Sequence, residues 1–243
     1  MTALAWLAPG DPFPPTSQAL DDPGGLLAAG ADLTTSTLLK AYRRGIFPWY
    51  NDGQPILWWS PDPRLVLLPE RFHSSRRLLR SLRQPHWQFS LNTAFEQVIA
   101  ACADTPRRGQ GGTWITDEMR NAYCRLHRAG HAHSLEVWHG DRLVGGIYGV
   151  RIGRAFFGES MFSHARDASK AAMAMLCRIH GALQMELLDC QVESAHLLSL
   201  GAEILPRKAF EQKLAVLTAA DTPPWPVIQP GELSFASTAS TNR

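Results

Sequence analysis

The hydrophobic period lengthens and shortens along this chain, and the changes outline its elements. In "SSRRLLRSLRQ" the leucines Leu78, Leu79 and Leu82 share one helical face, while Arg76, Arg80 and Arg83 line another at spacings of four and three. "NTAFEQVIAACAD" predicts a second helix, capped by Asn92, with Phe95, Val98, Ile99 and Cys102 turned inward. "TDEMRNAYCRLHRAG" predicts a third, opened by Thr116 and closed by Gly130. The period then drops to two. "AHSLEVWHGDRLVGGIYGVRIGRAFFGESMF" reads as three antiparallel strands joined by turns at "HGDR" and "RIGR". A helix from Asp167 to His180, the strand "MELLDCQ", a short helix to Gly201 and a last helix from about Arg207 complete the series.

The first 60 or so residues are rich in Pro and Gly, with one helix in "DLTTSTLLKAYRRG", capped by Thr34 or Ser36 and ended by Gly45. After it, "ILWWS" and "RLVLL" read as short strands. The plan is α+β: a small N-terminal domain (1–63), a larger domain (64–220) resembling the GCN5-related N-acetyltransferase fold, and a loosely held tail (221–243). The 243 residues, 45% hydrophobic, suffice for one large core or two unequal ones. No apolar run reaches the roughly 20 residues that span a bilayer, and "MTALAWLAPGDPFPP" lacks the basic leader of a signal peptide. Four scattered cysteines form no CxxC pair, so a reduced cytoplasm is expected and zinc is not. His131 and His133 likewise lack the spacing of metal ligands.

Charge changes the picture. Net charge is only +2, yet residues 1–39 carry four acids and no Lys or Arg, while Arg71 to Arg83 holds five arginines and no acid. The arginine face of Arg76, Arg80 and Arg83, with Arg107 and Arg108 as possible extensions, suits phosphates; a solvated basic face is the plain alternative. Trp49 in "FPWYNDG" and Trp114 in "GGTWITD" stand in loops, either as platforms for a base or as plugs of a domain interface.

The acid-and-amide pair of "LLDCQ" has a chemical reading. Strand alternation places Asp189 and Gln191 on one face and Cys190 on the other. With Glu159 of "FFGESMF" at a neighbouring strand end, they form a candidate site for an amine attacking an ester: a carboxylate attracts the ammonium or takes its proton, and an amide orients it or supports an oxyanion. Each carboxylate has a structural alternative, tied to backbone amides. Cys190, with no partner favouring a thiolate, is expected as core or pocket wall. Ile147, Phe156, Met161, Met173 and Leu176 are the candidates for an adaptable apolar pocket, or simply for core. A CoA-dependent N-acetyltransferase would hold pyrophosphate on a Gly-rich turn before the helix at Asp167, but no glycine lies between Gly158 and Gly181. A non-catalytic RNA-binding module would keep the arginines and indoles with no reason to keep the acids.

Taken together, "GLLAAGADLTTSTLLKAYRRGIFPWY", "ILWWSPDPR", "GTWIT", "LVGGIYGV", "FFGESMFS", "ASKAA", "DCQ" and "HLLSLGAEILPR" resemble the leucyl/phenylalanyl-tRNA–protein transferase family over about Gly24 to Phe210. The resemblance implies transfer of Leu or Phe, and Met weakly, from aminoacyl-tRNA to the α-amine of proteins beginning with Arg or Lys, marking them for N-degron proteolysis. It implies no cofactor and no metal. Trp49 and Trp114 match positions flanking the terminal adenosine, and Arg76, Arg80 and Arg83 match the surface meeting the tRNA body. Asp189, Gln191 and Glu159 match residues that handle the acceptor amine; Tyr42 and Tyr123 match family tyrosines near that cleft. Ile147, Met173 and Leu176 depart from the family pattern and leave the choice among Leu, Phe and Met open. A monomer is expected, since no unclaimed apolar stripe is evident.

Overall fold

The computed structural model describes residues 4–105 and 114–235. Its N-terminal part is a four-stranded sheet of β1 (Ala5–Leu7), β2 (Leu26–Gly30), β3 (Phe47–Pro48) and β4 (Leu57–Trp59), in the order β1-β2-β4-β3. Helix α1 (Thr35–Tyr42) lies between β2 and β3; Thr34 Oγ1 accepts from Thr37 N, which selects Thr34 over Ser36 as the cap.

The larger part is built on eight strands. They are β5 (Arg64–Leu67), β6 (Gln88–Leu91), β7 (Ala132–His139), β8 (Arg142–Ile152), β9 (Ala155–Ser163), β10 (Leu187–Gln191), β11 (Glu203–Leu205) and β12 (Ile228–Leu233). Their order is β11-β5-β10-β9-β8-β7-β6-β12, and only β9 and β10 run parallel. That one parallel pair follows from the sequence: β7, β8 and β9 form the expected meander, while α5 (Ala168–Arg178) carries the chain back so that β10 starts beside the start of β9. Helix α5 approaches β8 closely enough that a Cβ on Gly145 would meet Ala168 Cβ at 2.6 Å. The remaining helices are α2 (Arg76–Leu82), α3 (Phe95–Asp104), α4 (Asp117–Arg128), α6 (Ala195–Leu198) and α7 (Arg207–Thr218). The expected α+β class is the class observed. Among the described residues, no helix is long and apolar enough to cross a membrane.

Three local expectations change. Asn92 does not cap α3: it takes φ +60°, and its amide accepts from Ser134 N and donates to Pro226 O, while the helix opens at Phe95. Leu79 is exposed, because α2 is short and only Leu78 and Leu82 reach the core. The segment expected as a loose tail is held as far as Phe235. Trp225 is buried, stacks on Phe156 at 5.1 Å and donates its indole N–H to Leu183 O at 3.1 Å, and β12 pairs with β6. A single large indole supplies the apolar area that the surrounding Pro-rich sequence does not advertise.

Truncation after residue 220 therefore lowers Tm, and Trp225→Ala alone costs about 3–5 kcal/mol in denaturant unfolding. Unchanged stability in both would return the segment to a loose tail.

Candidate active site

The site begins with an irregularity in β10. Asp189 pairs with Val66 of β5, but Gln191 pairs with Leu65, so the ladder is interrupted between them, and Gln191 takes a left-handed φ of +59°. The strand alternation that would put Asp189 and Gln191 on one face is broken at that point. Asp189 stays inside with 0% exposure, bound by Arg64 through Nε to Oδ1 (2.8 Å) and Nη2 to Oδ2 (2.6 Å). Its Oδ1 also accepts the Gln191 N–H at 3.0 Å, tying down the residue whose backbone is strained. Asp189 thus does not open on the cleft; the expectation that it meets the substrate amine is corrected to that of a buried anchor.

Arg64 is the residue that sequence reasoning passed over. Besides Asp189 it donates Nη1 to Gly45 O at 3.0 Å, and its guanidinium lies 4.9 Å from the Phe47 ring centroid and 4.8 Å from that of Phe210. Its signal was present: an arginine that opens the apolar strand "RLVL", every residue of which is buried.

With Gln191 turned outward, two cavities meet beside it. The smaller, about 120 Å³, is walled by Phe47, Pro48, Trp49 and Trp114. The larger, about 370 Å³, is lined chiefly by Ile147, Met161, Met173, Leu188, Cys190 and Leu197. Glu159, Gln191 and Val192 line both. So Trp49 and Trp114 do come together, on one recess. Ile147, Met161 and Met173 reach the other. Phe156 and Leu176 do not line it; both pack within the core, Phe156 under Trp225. Cys190, which alternation turned away, is pocket wall, and burial pushes its thiol well above the usual range, with the Asp189 charge adding to the shift.

Glu159 sits where the cavities join. Its Oε1 accepts from Tyr42 Oη at 2.7 Å and its Oε2 from Tyr123 Oη at 2.8 Å; the two hydroxyls also touch each other, and one of them can donate across that contact only when Glu159 carries a proton of its own. Burial raises the Glu159 pKa to about 7; the tyrosine bonds oppose that, Asp189 adds to it and Arg64 opposes it. Both tyrosines are fully buried, and burial followed by the Glu159 charge pushes their hydroxyls well up, so they remain donors. Gln191 Nε2 is buried with no hydrogen-bond partner. An unsatisfied amide donor at the mouth of a cavity is costly unless a ligand atom fills the place.

Arg76, Arg80 and Arg83 are exposed along and just beyond α2. They line neither of the two cavities. Arg107 and Arg108, and the glycines of "GQGGT", lie outside the described residues. The turn before α5 holds Ser169 N on Ser163 Oγ (3.2 Å) and Ala168 N on Ala165 O (3.1 Å), with the acid Asp167 at the cap. Amides already engaged behind a carboxylate are a poor seat for a pyrophosphate.

A family model described as Leucyl/phenylalanyl-tRNA protein transferase matches residues 66–215, and that family's N-terminal domain model matches residues 31–62. The leucyl/phenylalanyl-tRNA–protein transferase of Xanthomonas campestris pv. campestris (strain B100) is 57% identical over 217 residues, covering 89% of this chain and 87% of the relative. That of Aromatoleum aromaticum is 58% identical over 212 residues, covering 87% and 89%. Among solved structures, a GCN5-related N-acetyltransferase-like protein from Streptococcus suis aligns with a TM-score of 0.33 and 12% identity, over 70% of this chain and 64% of its own.

Breaking the buried pair leaves an uncompensated charge, so Asp189→Asn and Arg64→Met each cost about 3–5 kcal/mol in stability. In Asp189→Asn the kcat of the site falls while the KM for the substrate held by the tryptophan recess stays within about twofold, because the carboxylate acts through Gln191. A variant of unchanged Tm and kcat would remove Asp189 from the design of the site.

Proposed function

Because this chain belongs to the leucyl/phenylalanyl-tRNA protein transferase family, we infer that it transfers Leu or Phe, and Met weakly, from an aminoacyl-tRNA to the α-amine of proteins beginning with Arg or Lys. One observation carries the reading. Among the described residues, an apolar cavity and an indole-walled recess meet at Glu159, Gln191 and Val192, as a side chain and an adenosine joined by one ester would require.

In this arrangement the adenine rests between Trp49 and Trp114, and the amino-acid side chain enters the cavity of Ile147, Met161 and Met173. The ester carbonyl then lies at the junction. Gln191 Nε2 donates to that carbonyl oxygen and to the oxyanion that forms on it. The acceptor's ammonium is drawn to Glu159, whose carboxylate near pH 7 takes a proton and leaves the amine neutral. The amine nitrogen attacks the carbonyl carbon and the C–O bond to the ribose breaks; Glu159 passes its proton to the departing ribose oxygen, and the second proton of the nitrogen leaves through the same carboxylate to water. The ester is already activated, so the protein contributes placement and proton handling. The wide, Met-containing cavity suits unbranched and aromatic side chains alike.

The acceptors' N-terminal Arg or Lys, their consequent N-degron proteolysis, the protein's action as a monomer and its place in the cytoplasm, where charged tRNA is available, belong to the same proposal. The exposed arginines Arg76, Arg80 and Arg83 give the tRNA body a sequence-independent electrostatic hold.

Purified protein mixed with labelled Leu-tRNA and a peptide beginning with Arg transfers label without ATP or CoA, and does not label the same peptide with a blocked α-amine. No transfer despite tRNA binding would reduce the protein to an RNA-binding module. The rate at saturating peptide rises with pH through an apparent pKa of about 7, since below it Glu159 is protonated; Glu159→Gln loses that limb and roughly 10²–10⁴-fold in kcat. Trp49→Ala weakens tRNA by about 1–3 kcal/mol, read as a raised Kd, with little change in kcat.

A further inference from the structure

The recess and the apolar cavity lie on opposite faces of the eight-stranded sheet. Phe47 and Trp114 pack with Phe157 and Leu187 on one face, and Ile147 and Met173 with Phe156 and Leu188 on the other. The passage between them opens where β9 and β10 part. Their parallel ladder has three rungs: Leu187 with Ala155, Leu188 with Phe156, and Asp189 with Phe157. Beyond it the strands run on to Ser163 and Gln191 without pairing to each other. Gly158 is the first residue of β9 past the last rung, and it lines the apolar cavity.

A glycine inside a strand gives up side-chain packing and is found where a bulge, a bend or the close approach of another group requires it. Three glycines of β8 have such a reason within the protein. A Cβ on Gly145 would meet Ala168 Cβ at 2.6 Å, one on Gly146 would meet Leu135 O at 3.0 Å, and one on Gly149 would meet the Phe156 ring at 2.7 Å. Gly158 has no such neighbour. A Cβ there would stand at ordinary contact distance, 3.6 Å from Leu188 Cδ2 and from Asp189 O and 4.0 Å from Ile147 Cδ1. The ladder with β8 does shift here, since Gly149 pairs with Gly158 and Tyr148 with Ser160. That shift asks no left-handed φ of Gly158. The fold would therefore accept alanine. The added methyl would stand in the cavity, between Leu188 and Ile147, at the end where the two strands close together.

We propose that Gly158 is a specificity-determining residue of the transfer: the room left by its missing side chain receives the ring of a Phe donor, so that one cavity serves Phe as well as Leu. The inference rests on the transfer reading of this cavity. The carbons of a phenyl ring extend well beyond the methyl groups of Leu, so the ring reaches the closed end and the Leu side chain stops short of it. Apolar interiors are packed without slack, and a methyl added where a ring already sits forces one of them aside. The same methyl costs nothing to a donor that does not reach it.

One tRNA charged with either Leu or Phe is given to the full-length wild type and to Gly158→Ala, with a peptide beginning with Arg, and kcat/KM is measured for each donor. Gly158→Ala is expected to lower the Phe to Leu ratio roughly tenfold or more, the scale on which one methylene in an apolar pocket discriminates. Leu transfer stays close to the wild-type value. Tm stays at or above that of the wild type, because alanine replaces a strand glycine at a place that accommodates it. Ile147→Val withdraws the Cδ1 that faces the same closed end. It raises the Phe to Leu ratio by itself and restores Phe transfer in the double variant with Gly158→Ala. Should Gly158→Ala fail to fold, Ile147→Val carries the test, and an unchanged ratio in it overturns the proposal. An unchanged ratio in Gly158→Ala overturns it too and leaves the transfer reading in place. Equal loss of both donors has the same meaning, since Gly158 would then make room for the ester that both share. A wild type that transfers Leu and not Phe likewise removes the role of Gly158. If the wild type transfers neither donor, the transfer reading falls and this inference with it.

Discussion

The buried ion pair of Arg64 with Asp189 is the interaction on which the site depends. Two charges out of water are held by four bonds: two parallel ones between the side chains, a third from Arg64 to Gly45 O, a fourth from Gln191 N–H to Asp189. Those four bonds join the loop after α1, strand β5 and strand β10. The aromatic rings of Phe47 and Phe210 flank the guanidinium and bring α7 into the same knot.

Its consequence is the left-handed turn at Gln191. Without the Asp189 carboxylate to receive its N–H, a glutamine at φ +59° would relax into the strand and turn its amide elsewhere. Held as it is, the amide stands between the two cavities with its Nε2 donors unspent. The pair therefore acts on the chemistry at one remove, through backbone geometry and not through contact with a substrate.

Glu159 is tuned by a different balance. Burial favours its protonated form, and two tyrosine donors favour the anion, leaving it poised near neutrality. Tyr42 comes from α1 and Tyr123 from α4, so the carboxylate of β9 is set by two helices whose tyrosines are 81 residues apart. The tyrosines are fully buried and are kept as donors by the same charge they hold.

Much of this was legible in sequence, because it depends on local regularities. The helical periods of α3, α4 and α5, the meander of β7 to β9, the Thr34 and Thr116 caps and the loop tryptophans each follow from residues within a few positions of one another. The family motifs brought Glu159, Gln191, Trp49 and Trp114 to one site. What only the tertiary structure decided concerns partners far apart. Arg64 and Asp189 are 125 residues from each other, so no local pattern announces that the acid is already taken. The interrupted ladder between Asp189 and Gln191 breaks the alternation that a period of two assumes, bringing Gln191 to the cavity beside Cys190 and leaving Asp189 on the other face. Phe156 and Leu176 were core and not pocket, and Trp225 was core and not tail. Hydrophobic pattern reports that a side chain leaves water; which neighbour receives it is settled only when distant segments meet.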